Sequence, residues 1–477
     1  MKNFNLTFHL NKFDRNPAII FPGGKLNYRQ YSEKIRQVAA NLLKRKIKAG
    51  SYIAVLSENN WQYVVLILAL IQIKAVAVPL NIRYPNKRLL EILIEIKCKK
   101  VFISNEFKKI NFKQINSVLD IDEIFADEFS ADEYNNNLEI NYDQPVTILF
   151  TSGSNGKPKA VLHTFGNHYY SALGSNKNIV LGLDDCWMIT LPFYHIAGIA
   201  ILFRTLIAGS ACYIPDPAKD ISSHLKNQRV THLSLVPTQL HRWLSEDTMT
   251  DYTRSLKAIL IGGSQIPQAL IKQSLQRNLP VFASYGSTEM SSQITTSSGK
   301  ELRTNPASSG KILSHRELKI NHDGEILVRG KTLGLGYVVH DGIIKFVDSN
   351  GWFHSGDLGH FDDNQNLIVT GRRDNMFISG GENIHPEEIE NHLRFIDNIF
   401  DACVVDVPDA EYGARPVAFI RMNSNNKIDE TYFKNYLIDK IAGFKVPVRF
   451  YPWPEGKDSF KPDRKYLKKL ARKKVRI

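Results

Sequence analysis

Residues 147–163 read TILFTSGSNGKPKAVLH, an apolar run that ends in Thr151, Ser152, Gly153, Ser154, Asn155, Gly156 and Lys157. Glycines let main-chain N–H groups close on an anion, hydroxyls donate hydrogen bonds and a lysine adds charge. Those are the requirements for holding a triphosphate, although a plain Gly/Ser turn after a strand has the same composition. The spacing is not that of a Walker loop. GxxxxGK[ST] needs Gly and Lys at 158 and 159, where Pro158 and Lys159 stand, so P-loop kinase or ATPase chemistry is disfavoured.

Further clusters share a recognisable order. TSGSNGKPKAV resembles the first signature of the adenylate-forming superfamily, which contains acyl-CoA synthetases, peptide-synthetase adenylation domains and luciferases. SYGSTEM (284–290) resembles the second, and GWFHSGDLG (351–359), GRRDNMFISGGENIHPEEIE (371–390) and the terminal Lys461-x-x-Arg464 resemble the rest. One such motif is weak; five in the family's order are specific. The resemblance departs at Asn155, where threonine is usual, and at Ala160, where glycine is usual.

The resemblance implies an enzyme that adenylates a carboxylic acid with ATP and Mg²⁺ and passes the acyl group to a thiol, most simply that of coenzyme A. Thr151, Ser152, Ser154 and Lys157 then hold phosphates within the 151–157 loop. Tyr285 stacks on adenine, Gly263 and Gly286 border the nucleotide, Thr288 contacts the α-phosphate and Glu289 ligates Mg²⁺, a hard, oxygen-loving ion. Asp357 accepts from the ribose hydroxyls and Arg372 contacts the ribose. Asp374 is the hinge about which the small domain turns, and Gly380 and Gly381 approach the thiol channel after that turn. Lys461 supplies the cation for the charge that develops between carboxylate and α-phosphate. Lys457, which follows Gly456, is its competitor but lacks an arginine three residues on.

The acid itself is read from LPFYHIAGIAILFRTLIAG (191–209). By resemblance His195, together with Gly262 and Gly286, borders the acyl site; a lone histidine there is more often a packed wall than an acid or base. Arg204 lies inside an apolar run, where an unpaired cation is costly, so it should face a carboxylate of the protein or of a ligand. A fatty-acid pocket has no use for such a group, whereas a second carboxylate on the substrate suits its fork. With DDCWMITLPFYHIAG and SYGSTEMSSQITT, the chain resembles the branch of the family whose acid carries a second, aromatic carboxylate. A structural ion pair for Arg204 remains the alternative.

These residues need a scaffold. Short apolar runs at YIAVL, AVAVPL, KVFIS and VTILF alternate with helical patterns, which implies layered α/β architecture. One helix is expected over residues 27–48, capped by Asn27, with Tyr31, Ile35, Val38, Ala39, Leu42 and Leu43 on one face. The rhythm resumes from 211 to 286 as a second α/β subdomain. Close-set strands from about 305 to 371 suggest a small β-rich subdomain, and the pattern beyond 374 is α+β. The expected fold is therefore a large N-terminal domain (1–373) of two α/β subdomains plus a β-rich one, followed by a small mobile C-terminal domain (374–477).

Four scattered cysteines without a CxxC pair argue against a disulfide framework or a zinc site and suit a reducing cytoplasm. The stretch from Val64 to Leu80, interrupted by Gln72 and Lys74, is too short for a bilayer span and reads as a buried helix followed by a strand. No signal peptide is expected. The net charge of +13 owes eight to residues 461–477, which hold nine basic residues and one acid. That tail reads as a solvated lysine-rich helix rather than a nucleic-acid surface. Partners are thus expected to be a small carboxylic acid, ATP and CoA, with neither nucleic acid nor stable membrane insertion and with a homodimer possible. A carrier-protein acceptor and a catalytically silent basic binding protein are the competing readings.

Overall fold

The computed structural model describes residues 3–110, 112, 115, 117–126, 139–151, 158–246, 253–396, 398–422, 428–454 and 463–475. Two large mixed sheets dominate. The first has eight strands, with a parallel centre built from Pro145–Phe150, Val76–Pro79, Tyr52–Leu56, Lys100–Ile103 and Ser117–Asp120. The second has nine, and its parallel run passes from Val281–Ser287 through Ala258–Ile261, His232–Leu235, Cys186–Met188 and Ala211–Tyr213 to Pro17–Phe21. A four-stranded antiparallel sheet follows, from Arg316–Ile320 to Leu367–Arg372.

Tyr28–Lys44 forms where a helix over 27–48 is expected, starting at the Asn27 cap but ending four residues earlier, at Lys44. The Asn27 side chain accepts from the Gln30 N–H while Gln30 Oε1 accepts from the Asn27 N–H, a reciprocal box that satisfies two free helix-terminal donors. Tyr31, Ile35, Val38, Ala39 and Leu42 are buried, but Leu43 is 42% exposed. One residue beyond Leu42 the helix has turned by about 100°, which carries Leu43 off the buried stripe. The helix Trp61–Gln72 is buried on every face from Tyr63 onward and leads into the strand Val76–Pro79, the helix-then-strand expected of 64–80. It can be apolar all round because the main core cluster joins inward residues of both large sheets, such as Ile53 and Leu149 of one and Trp187 and Leu260 of the other.

Segment 305–371 is not one unit. Gly336–Val339 and Gly342–Ile344 extend the first sheet beyond Ala160–Thr164, and Lys311–Ile312 pairs with the edge of the second. Short strands look alike in sequence, and which sheet each one joins is decided by long-range pairing. Beyond Asp374, the strands Ile399–Asp409, Gly413–Met422 and Phe450–Pro452 form a small sheet with their own core. The basic helix Arg464–Val475 is anchored on that sheet by Leu467 and Ala471, while Lys468 and Arg472 pair with Asp406. Among the described residues no helix is long and apolar enough to cross a membrane, and Cys98, Cys186, Cys212 and Cys403 are free and buried.

Candidate functional site

A cleft of about 2250 Å³ is lined by residues of both large sheets, the four-stranded sheet and the small C-terminal sheet and its helices. Thr151, His195, Arg204, Gly262, Gly263, Tyr285, Gly286, Thr288, Glu289, Asp357, Arg372 and Asp374 all border it. Gly380 and Gly381 do not border it. They form a turn with φ of +58° and +85°, beside Tyr412, that only glycine adopts readily. Ser152, Gly153, Ser154, Asn155, Gly156, Lys157 and Lys461, with its competitor Lys457, lie outside the described residues. The described residues on either side of 152–157 are nevertheless fixed. Phe150 pairs with Ala160, and the Thr151 N–H donates to the Lys159 carbonyl.

One group of residues has the chemistry for a nucleotide. The Tyr285 hydroxyl donates to Asp357 Oδ2 at 2.8 Å, and Arg372 Nε lies 3.2 Å from Asp357 Oδ1. Asp357 and Arg372 face each other across the antiparallel pair Phe353–Phe361 and Leu367–Arg372, which explains how signatures 15 residues apart meet. Burial and the Asp357 carboxylate push the Tyr285 phenol well above its usual range, so it stays a neutral donor. Glu289 Oε1 accepts from the Tyr337 hydroxyl at 2.9 Å. Sequence reasoning missed Tyr337, because its partner is 48 residues away, in the turn after Val281–Ser287 of the second sheet, whereas Tyr337 lies on Gly336–Val339 of the first.

The turn carrying Thr288 and Glu289 is held from behind. His163 Nε2–H donates to the Thr288 carbonyl at 2.7 Å, and His168 Nε2 bonds Thr147 Oγ1 at 2.7 Å. Burial depresses His163 to about 4 and His168 well below its usual value, so both are neutral at pH 7. Gly286 allows close approach, since a Cβ there would sit 2.0 Å from the Ser292 carbonyl oxygen. A Cβ on Gly262 would meet Ser284 Oγ at 2.7 Å.

The second group surrounds Arg204, on the buried helix Ile196–Ala208 that His195 precedes. Arg204 is 2% exposed, and its guanidinium stacks over Trp187 at 5.1 Å and donates from Nη2 to Gln293 Oε1 at 2.8 Å and to Ser292 Oγ at 3.2 Å. No carboxylate among the described residues pairs with it, contrary to the ion pair kept open above. Burial alone pulls it down to about 9, which leaves it cationic at neutral pH. Gln293, Ser292 and Trp187 were not legible in sequence as its partners, for they reach Arg204 from other elements, Trp187 from the strand Cys186–Met188 and Ser292 and Gln293 from a strand 88 and 89 residues on.

An AMP-binding enzyme family model matches residues 6–338, and the chain belongs to that family. Among curated relatives, the 2-succinylbenzoate–CoA ligase of Oceanobacillus iheyensis is 33% identical over 438 residues, covering 90% of each chain. The 2-succinylbenzoate–CoA ligase of Bacillus cereus strain Q1 is 33% identical over 448 residues, covering 91% of this chain and 90% of that protein. Among solved structures, the o-succinylbenzoate CoA synthetase of Bacillus subtilis in complex with its acyl-adenylate intermediate superposes with a TM-score of 0.90 at 28% identity, over 98% of this chain and 99% of that one. The same enzyme with ATP and magnesium ion gives 0.86 at 29% identity, over 94% and 95%.

Proposed function

We propose that this chain is an AMP-forming 2-succinylbenzoate–CoA ligase. The observation that carries the proposal is one cleft holding two kinds of group: Tyr285, Asp357, Arg372 and Glu289, suited to a nucleotide, and Arg204, a buried cation with no carboxylate partner among the described residues. The relatives' names and the acyl-adenylate complex of the Bacillus subtilis enzyme support the same reading.

In this reading Tyr285 packs on the adenine and Asp357 and Arg372 hold the ribose. The 151–157 loop and Thr288 hold the phosphates. Glu289 is the protein's ligand for Mg²⁺, which neutralises phosphate charge when bound. The residues fit it, since the Glu289 carboxylate borders the cleft and is oriented by the Tyr337 hydroxyl, and Mg²⁺ is commonly held by one or two carboxylates with phosphate and water completing its shell. Arg204 receives the ring carboxylate, which directs the succinyl carboxylate to the α-phosphorus. His195, Gly262 and Gly286 wall the acyl site. Carboxylate oxygen attacks phosphorus, pyrophosphate leaves, and Lys461 stabilises the charge built up between them. The small domain, residues 374–477, then turns about Asp374 and brings the Gly380–Gly381 turn to the cleft. The CoA sulfur attacks the acyl carbon and AMP leaves. The free, buried cysteines support a reducing cytoplasm as the enzyme's place.

The test is formation of AMP and CoA thioester across 2-succinylbenzoate, benzoate, coumarate and a medium-chain fatty acid. Turnover confined to the first acid is expected; equal turnover of a fatty acid or benzoate would remove the substrate assignment while leaving the ligase chemistry.

A further inference from the structure

Arg204 is not the only buried cation in this region. Arg316 is 6% exposed and likewise has no carboxylate partner among the described residues. Its Nε donates to the Gln293 carbonyl at 2.5 Å, Nη1 to the Ser314 carbonyl at 2.8 Å and Nη2 to Ser171 Oγ at 3.1 Å. Burial and the nearby Arg204 charge pull it down to about 9. Gln293 thus serves both arginines, one through its side chain and one through its main chain.

The orientation of that side chain is dictated by its neighbours. Thr296 Oγ1 donates its only proton to the Thr295 carbonyl at 2.8 Å, so toward Gln293 it can only accept. The Gln293 amide nitrogen therefore faces Thr296 at 2.6 Å, and the amide oxygen must face Arg204. An amide oxygen satisfies a guanidinium N–H but carries no charge to offset the cation. A glutamate would fill the same space, pair with Arg204 and cancel the charge a ligand carboxylate would feel, because a buried pair is far stronger than an exposed one. The backbone invests strain here as well, since Ser291 and Ser292 adopt φ of +53° and +106°, which non-glycine residues rarely do.

Resting on the function proposed above, we infer that Gln293 is the specificity-determining positioning residue of the acyl site: locked by Thr296, it holds Arg204 in place as an uncancelled cation, so that acids bearing a second carboxylate are selected. What must be read is selectivity, not activity alone. The probes are 2-succinylbenzoate and 4-oxo-4-phenylbutanoate, which is the same acid without its ring carboxylate.

Gln293→Glu is expected to raise KM for 2-succinylbenzoate at least about tenfold and to leave KM for ATP and turnover of 4-oxo-4-phenylbutanoate within about threefold, the scale of one charge-assisted hydrogen bond. Gln293→Met, which removes both side-chain hydrogen bonds but adds no charge, is expected to keep more of the preference than Gln293→Glu. Equal losses toward both acids, or equal effects of the two substitutions, mark a merely structural role and overturn the inference. Arg204→Met separates the two readings. If it abolishes the preference while Gln293→Glu retains it, the inference fails and the proposed function stands. If it leaves the preference intact, Arg204 is not the anchor and both the anchor and the role of Gln293 fall.

Discussion

The residues around Arg204 and those around Asp357 border one cleft yet are built in opposite ways. Arg204 is 2% exposed, packed on Trp187 and fixed by neutral groups, and no carboxylate among the described residues shares its charge. Around Asp357 the charges are shared. Arg372, with its side chain 53% exposed, pairs with Asp357, and Tyr285 and Tyr337 occupy the two carboxylates until a ligand competes for them. A permanent buried cation suits recognition of one fixed anionic group. Cleft-facing, exchangeable pairings suit a nucleotide whose parts must bind, react and leave within a turnover.

The contrast is tested most severely on the catalytic charge, which neither group supplies. Lys461→Ala is expected to lower adenylation by about a thousandfold, the scale seen when one group that stabilises developing charge is removed. Thioester formation from supplied acyl-adenylate should survive, and loss of both half-reactions together would contradict the role. Lys457→Ala should leave adenylation intact. On the fixed-charge side, Arg204→Met is expected to cost about a hundredfold in kcat/KM for 2-succinylbenzoate, since a charge-assisted bidentate contact is worth about 3 kcal/mol; steady-state kinetics with the two acids measures it.

Stability should depend on pH through the neutral histidines behind the Thr288 turn and in the second sheet. Burial is the largest cause of the depression of both His163 and His232, each to about 4. Between pH 6.5 and 4 the unfolded chain takes up protons that the native chain refuses, so stability falls as pH drops through that window. The loss at pH 5 is about 2 kcal/mol per histidine, readable as a lower urea midpoint at pH 5 than at pH 7. An unchanged midpoint would contradict the burial of neutral imidazoles. The smallest effect is expected on the exchangeable side. Tyr337→Phe frees Glu289 and should raise the Mg²⁺ concentration for half-maximal activity by about tenfold or less, checked by titrating Mg²⁺ at saturating ATP. A loss of a hundredfold would mean that Tyr337 does more than orient a carboxylate.

The two groups also differed in how much of each was legible in sequence. Tyr285, Asp357 and Arg372 stand in contiguous signatures whose spacing carries the chemistry, and the structure brings them together. Arg204 was conspicuous as a charge in an apolar run, but its surroundings were not. Gln293 lies 89 residues on, and nothing local marks a glutamine as the partner of a distant arginine. The same limit explains the strands of 305–371, which are easy to recognise as strands but are distributed among three sheets by pairings that periodicity does not encode. Helix Tyr28–Lys44, by contrast, was readable to its cap because capping and face burial are local.

ATP–pyrophosphate exchange driven by 2-succinylbenzoate and by 4-oxo-4-phenylbutanoate, measured side by side on the unaltered protein, tests most directly that nucleotide and dicarboxylic acid meet in this cleft. Rapid exchange with the first acid is expected, with exchange slower by about fifty- to a hundredfold for the second, as loss of one charge-assisted contact implies. Equal exchange with both acids, or none with either, would contradict it.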